Sequence, residues 1–353
     1  MKKHIKKILL FAIAGVMMLS LMACGAQQQP VEEEQSTAPS ASAEAVTSPE
    51  APDTQTSEPA ASGDKIVIGI SQCQSSDPWR IAQVNSLKSE VEKYPNYELV
   101  YTDAQGDTAQ QISDVEDIIA QGVDYLVLIP REYEASAPAL EIAKKAGVPV
   151  VVIDRSVNGV AGEDFITYIG TDFVQEAKMV GEWLAEKTGG KANIVEITGT
   201  AGSAAAIDRQ KGFMEVVDQN PDMKVIVSQT ADFSRSEAQK VMENIIQSRP
   251  GEFNVVFAHN DEMALGAVQA LKGAGLTPGK DVLVLGIDGQ SDAVKAIISG
   301  EMSATATCNP HYGPITFETL TKIINGETAP TEIKVQDYLI DGTNAEAELP
   351  NAF

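Results

Sequence analysis

The chain has few of the residues that perform chemistry or hold metal. Among 353 residues only three are cysteine and three histidine. His4 sits in a leader-like N-terminal stretch, so the body of the chain keeps His259 and His311 with Cys73 and Cys308. That set makes no zinc cluster, which needs three or four such ligands converging, and neither a metal nor a cofactor is expected. The glycines of Thr198-Gly-Thr-Ala-Gly-Ser203 are not followed by Gly-Lys-Ser/Thr and do not space as Gly-x-Gly-x-x-Gly. Both nucleotide-cradling fingerprints are therefore missing, as is a Gly-x-Ser-x-Gly nucleophile elbow, and the chain reads as a non-enzyme. Positive charge is scarce too: 26 Lys and Arg stand against 50 Asp and Glu, for a net charge of −24. A chain this acidic lacks the basic face that nucleic acid or an anionic membrane surface requires.

Long apolar runs are also few. Ile8 to Leu21 follows Lys2, Lys3, Lys6 and Lys7 and falls short of the roughly 20 residues of a membrane-crossing helix. This is the layout of an export signal. Leu21-Met22-Ala23-Cys24 resembles a lipobox, where cleavage precedes a cysteine that then carries lipid. The expectation is a lipoprotein signal peptide over 1–23, lipidation at Cys24, and a chain tethered outside the membrane. From Gly25 to Gly63 there is no Lys, Arg or aromatic residue. Such a stretch buries too little apolar surface to offset its conformational entropy, so 24–63 reads as a lipidated cysteine followed by a disordered tether.

What is abundant begins at Lys65. Strand-like runs (65–70, 97–102, 123–129, 148–153) alternate with helical periodicity (to about 94, 108–121, 135–146). The alternation restarts at Phe165 and continues to Ser299. Strands separated by helices through short loops predict an α/β fold, here two doubly wound parallel-sheet lobes facing each other across a cleft. The organising stretch is Gly147-Val-Pro-Val-Val-Val-Ile-Asp-Arg-Ser156, an apolar strand that ends in an acid and a base. Ligands of open α/β sheets bind outside the carboxyl ends of the strands. Asp154 and Arg155 stand there, able to accept from one hydroxyl and donate to the next.

The same chemistry recurs at the other strand ends: Ser71-Gln72, the loop before Asp208-Arg209, Asn260-Asp261 and Asp288. Trp79 and Phe233, in stretches read as polar loops, offer flat apolar faces to a sugar ring. Cys73 and Cys308 lie near these loops, and both a disulfide and two free thiols fit an exported protein.

The ordered motifs Ser-Gln…Pro-Trp-Arg, Ile-Asp-Arg, Ala-Ile-Asp-Arg-x-Lys-Gly-Phe, Ala-Asp-Phe-Ser-Arg, Ala-His-Asn-Asp-Glu-Met and Gly-Ile-Asp-Gly resemble the type I periplasmic sugar-binding proteins. The likeness is to the ribose- and galactose-binding group, nearest its galactofuranose-binding members, and runs from about Lys65 to the C-terminus. It implies that Asp154, Arg155, Arg209, Asn260 and Asp288 bind sugar hydroxyls, with Trp79, Arg80 and Phe233 walling the ring. Arg131, after the third strand, and Asn309, in the crossover where ribose-binding members carry Gln, join the implied ligand set. It further implies an N-terminal lobe of 64–167 plus 309–336 and a C-terminal lobe of 168–308 plus 337–353, joined by three hinge strands. The implied function is that of the substrate-binding lipoprotein of an ABC sugar importer. It would bind a galactofuranose-, galactose- or ribose-like monosaccharide, act as a monomer at the outer face of the membrane or in the periplasm, and serve permease transmembrane subunits. The alternative is a receptor for a sugar or furanosyl autoinducer in chemotaxis or signalling.

Overall fold

The alternation of apolar and amphipathic stretches becomes two sheets wrapped by helices in the structure, a computed structural model that describes residues 65–353. The expectations placed on residues 1–64 (leader, lipid on Cys24, tether) lie outside the described residues. The first half runs β1 (Ile66–Gln72), α1 (Pro78–Val91), β2 (Tyr97–Asp103), α2 (Thr108–Ala120), β3 (Tyr125–Ile129), α3 (Pro138–Ala146), β4 (Val150–Ile153) and β5 (Thr167–Gly170). The second runs α4 (Phe173–Thr188), β6 (Lys191–Thr198), α5 (Ala204–Val217), β7 (Asp222–Thr230), α6 (Arg235–Ser248), β8 (Val255–Ala258), α7 (Asp261–Gly273), β9 (Leu283–Asp288), α8 (Ser291–Ile298) and β10 (Ala304–Thr307). Then follow α9 (Gly313–Ile324), β11 (Glu332–Lys334), β12 (Leu339–Asp341) and a short α10 (Ala345–Glu348).

The first sheet has the order β2-β1-β3-β4-β5-β11 and is parallel throughout. The second repeats the plan as β7-β6-β8-β9-β10-β12, with only β12 antiparallel. Each is the expected doubly wound α/β sheet, in which the strand order reverses beside the first strand and opens a crevice at the carboxyl ends. All four residues of β4 are buried, as a parallel strand covered by helices on both faces must be. The core beneath the sheets is built from residues such as Ile68, Ile70, Val127 and Ile129 in one lobe and Ile194, Val256, Leu285 and Ile287 in the other.

The chain passes between the sheets three times: after β5, after β10, and between β11 and β12. The boundary expected between 167 and 168 falls inside β5. All of Thr167–Gly170 belongs to the first sheet, where it is flanked by β4 and β11, so the first passage follows Gly170. The third passage, between Lys334 and Leu339, brackets the expected break at 336/337. The segment after β10 returns to the first lobe because α9 packs on α1, where the Gly313 amide donates to Ser86 Oγ at 2.9 Å.

Candidate ligand site

Side-chain caps fix where the helices begin, and thereby where the site residues stand. Asp77 accepts from the Arg80 amide at 2.9 Å, and Pro78 occupies the first turn. Trp79 and Arg80, expected in a loop, therefore sit on the first turn of α1. Asp followed by Pro is a helix-start signal that can be read from sequence. Ser203 caps α5 and Asn260 caps α7 through the Met263 amide at 2.9 Å. Phe233 lies between β7 and the cap of α6, and its ring rests against Gly199 so closely that any Cβ there would collide with it.

These residues enclose a cavity of about 340 Å³, mouth included. From the first lobe Trp79, Arg80, Asp154 and Arg155 line it; from the second, Arg209, Phe233, Asn260 and Asp288. Four further lining residues escaped the sequence reading, one of them Ala205 in the first turn of α5. Asp77 was hidden in its capping role, Phe173 opens α4 just past the first crossover, and Cys308 follows β10. The Asp172-Phe173 pair behind β5 was the available signal for the second. Cys308 and Cys73 are both free and buried, and burial pushes the Cys308 thiol well above its ordinary pKa. Trp79 donates its indole N–H to the Cys308 carbonyl at 2.7 Å, and the Arg80 guanidinium lies 4.7 Å over its ring.

Two expected residues do not reach the wall. Asn309 turns away beside Cys308, as adjacent residues of an extended segment must. Its side chain accepts from the His311 amide at 2.8 Å, and it lines a separate pocket behind the hinge with Gln336 and Tyr338. Arg131 turns aside from the cavity and donates to Gln74 Oε1 at 3.0 Å.

The charges pair unevenly. Arg80 Nη1 lies 2.5 Å from Asp154 Oδ2 with both side chains buried. Burial opposes the guanidinium's charge, but Asp154 outweighs it and the pKa stands above its usual value. Arg209 Nε donates to Glu176 Oε2 at 2.9 Å and its Nη1 to the His259 carbonyl at 2.6 Å. Among the described residues Arg155 pairs with no acid: its Nη1 donates to the Arg131 carbonyl at 3.0 Å, and its buried Nε has no partner. Burial and the nearby Arg80 lower its pKa, while its guanidinium lies 5.2 Å over the Phe233 ring. Asp288, facing from the other lobe, has only Arg209 Nη2 at 3.6 Å, and among the described residues no group donates a hydrogen bond to its carboxylate. Its pKa is raised, by burial first.

The backbone is strained at the same places. Of the five non-glycine residues at positive φ among the described residues, Asp154 (64°), Asp232 (52°), Phe233 (59°) and Asp288 (142°) lie in or beside the cleft. Strain of this kind persists where surrounding structure over-determines it, and it concentrates at ligand clamps.

Glu176 gives a pH test. Burial pushes its pKa up to about 7 against the pull of Arg209. Arg209 stays charged at accessible pH, so the carboxyl is the member that titrates. Between the unfolded value near 4.5 and about 7 the folded state binds the extra proton, so this contribution to stability falls as pH rises and is flat above. Glu176→Gln should therefore gain on wild type by about 3 kcal/mol between pH 4.5 and 8, read as the change in the difference between their melting temperatures. A difference constant with pH would show that Glu176 titrates normally.

Two lobes closing on a cavity with aromatic walls and unspent hydrogen-bonding groups from both sides define a two-lobe solute-binding protein. The model of the periplasmic binding protein domain matches residues 68–328. The chain belongs to that family, and its relatives place it among the type I sugar-binding members. It is 38% identical over 289 residues to the galactofuranose-binding protein YtfQ of Escherichia coli (strain K12), covering 80% of this chain and 91% of that one. It is 36% identical over 291 residues to the ribose import binding protein RbsB of Bacillus subtilis (strain 168), covering 80% and 92%. The binding protein of the arabinose ABC transporter from Shewanella sp. ANA-3, solved with α- and β-L-arabinofuranose, superposes with a TM-score of 0.77 at 37% identity, covering 81% of this chain and 95% of that one.

Proposed function

We propose that the chain is the substrate-binding lipoprotein of an ABC sugar importer and that its ligand is a neutral monosaccharide in the furanose form, of the galactofuranose, arabinofuranose or ribose kind. The observation that carries the reading is the pair Arg155 and Asp288. One is a buried cation without an acid, the other a buried carboxylate without a hydrogen-bond donor, and they face the cavity from opposite lobes. Their charges cancel, so an anionic or cationic ligand would leave one buried charge unmatched. A polyol satisfies both, donating to the carboxylate and accepting from the guanidinium. The furanose form is favoured by the galactofuranose- and arabinofuranose-binding relatives.

The expected ligand set becomes Trp79, Arg80, Asp154, Arg155, Arg209, Phe233, Asn260 and Asp288, with Phe173 as an added wall. Asp154 and Glu176 hold Arg80 and Arg209 in place. The two sheets act as lobes that close about the three crossovers, and the permease distinguishes closed from open. Export with lipid on Cys24, a tether up to residue 63 and action as a monomer complete the reading.

A melting series with L-arabinose, D-galactose, D-ribose and D-glucose tests it. A ligand at 100 times its Kd adds about 2.7 kcal/mol, which for a protein of this size is about 4–5 °C in Tm. No rise with any neutral aldose would sink the proposal.

Fluorescence separates the walls. Trp183 lies away from the site, its indole N–H donating to Asp341 at 2.8 Å. Trp183→Phe should keep the sugar-induced change in emission. Trp79→Ala should lose about 1–3 kcal/mol of affinity, and Trp79→Phe should recover part of it. A signal that vanishes with Trp183 and survives Trp79→Phe would displace Trp79 from the sugar.

A further inference from the structure

Neither Arg131 nor the glycine-rich loop Thr198–Ser203 touches the cavity, yet the two regions meet across the cleft. Just beyond β3, the Tyr133 amide donates to the Gly202 carbonyl at 2.8 Å, while the Tyr133 carbonyl accepts from the Asn158 amide of its own lobe at 2.8 Å. Beside this bond Arg131 Nη2 stands 3.6 Å from Asp232 Oδ1. Each member is held by its own lobe, Arg131 by Gln74 at 3.0 Å and Asp232 by the Thr200 hydroxyl at 2.5 Å. Gly202 adopts φ +80°, which costs glycine nothing, and Glu132 packs over it.

We propose that Arg131–Tyr133 and the Thr200–Gly202 loop with Asp232 form a latch that holds the lobes closed, with Arg131 as a positioning residue rather than a sugar contact. Its guanidinium clasps the far lobe, and its carbonyl aims Arg155 into the cavity. The two sides belong to different sheets, so rotating the lobes apart breaks the backbone bond and the ion pair together. A contact made only in the closed state raises the fraction of binding-competent protein, and so strengthens every ligand by the same factor. That the sugar enters this cleft rests on the function proposed above; the latch itself does not.

The first test needs no sugar. A Cβ at Gly202 would lie 3.9 Å from Glu132 Cβ, within disulfide range. Glu132→Cys combined with Gly202→Cys should cross-link under mild oxidation in the absence of sugar, because the closed state is visited spontaneously, and reductant should reverse it. A cysteine at φ +80° is strained, so the reduced variant should melt below wild type; failure to cross-link in a variant that is still cooperatively folded at the working temperature would overturn the latch, whatever the ligand proves to be. The second test measures dissociation of L-arabinose, D-galactose and D-ribose, whichever bind. Asp232 is more than half exposed, so the pair has a modest effect. Arg131→Ala and Asp232→Ala should each speed release by roughly two- to five-fold, equally for every sugar and less at high salt. The charge swap Arg131→Asp with Asp232→Arg should restore the slow rate. An Arg131→Ala effect confined to one sugar, with none from Asp232→Ala, would return Arg131 to the ligand set and overturn the assignment.

Discussion

Replacing Arg209 with Ala should be the most damaging single change in the molecule. It leaves Glu176 buried without its cation, and breaking a buried pair from one side costs about 3–5 kcal/mol. It also removes the cation that stands 3.6 Å from Asp288, so sugar binding should fall with the fold. The loss should be smaller at pH 5, where Glu176 is neutral, than at pH 8, because its raised pKa of about 7 lets it shed the charge that has become unpaired. Arg209→Met together with Glu176→Gln keeps volume and removes both charges. This double variant should recover most of the stability and none of the binding. Urea titration at both pH values measures the first statement and calorimetry the second. Recovery of binding in the double variant would show that Arg209 only supports the fold.

Arg155 and Asp288 should behave in the opposite way. Each carries a charge that the protein alone does not satisfy, and each should be held by ligand hydroxyls through charge-assisted bonds in a dry cleft. Arg155→Ala or Asp288→Ala should weaken sugar binding by about 2–4 kcal/mol, while stability stays level or rises. The expected rise is clearest for Arg155→Met, which keeps an apolar stem of similar length and removes a buried cation that burial and Arg80 already disfavour. Gains in stability at a cost in function are the usual sign of a binding residue held under strain. Unchanged affinity in both variants would remove the pair from the site.

Much of this was legible in the residues. The four valine and isoleucine positions of β4 announce a strand buried on both faces, and the switch from Ile153 to Asp154-Arg155 marks where the sheet ends and the cleft begins. The repetition of polar residues at strand ends predicted one shared site, because parallel strands bring their carboxyl ends to one edge. What resisted was direction. Cys308 and Asn309 are neighbours, and only the local backbone decides which of them faces the cavity. Arg131 follows a strand as Arg155 does, but Gln74 and Asp232 draw its long side chain sideways. Phe173 was hidden because its place depends on how the first crossover delivers α4 to the second lobe. The free thiols could not be distinguished from a disulfide by spacing alone, because pairing depends on Cα separation and side-chain direction.

The most direct test of the central claim, a closed cleft whose own charges cancel and which takes a neutral sugar, is a calorimetric comparison on the full chain. L-Arabinose, D-galactose and D-ribose would each be titrated, followed by the matching uronic acid and sugar phosphate of whichever binds. The account predicts saturable one-to-one binding of at least one neutral aldose. It also predicts a loss of at least a hundredfold in affinity for the anionic derivatives, since an anion that took Arg155 would leave the buried Asp288 carboxylate unmatched. Tighter binding of an anionic derivative than of its neutral parent would contradict it, because Arg155 would then be an anion site and not half of a balanced pair.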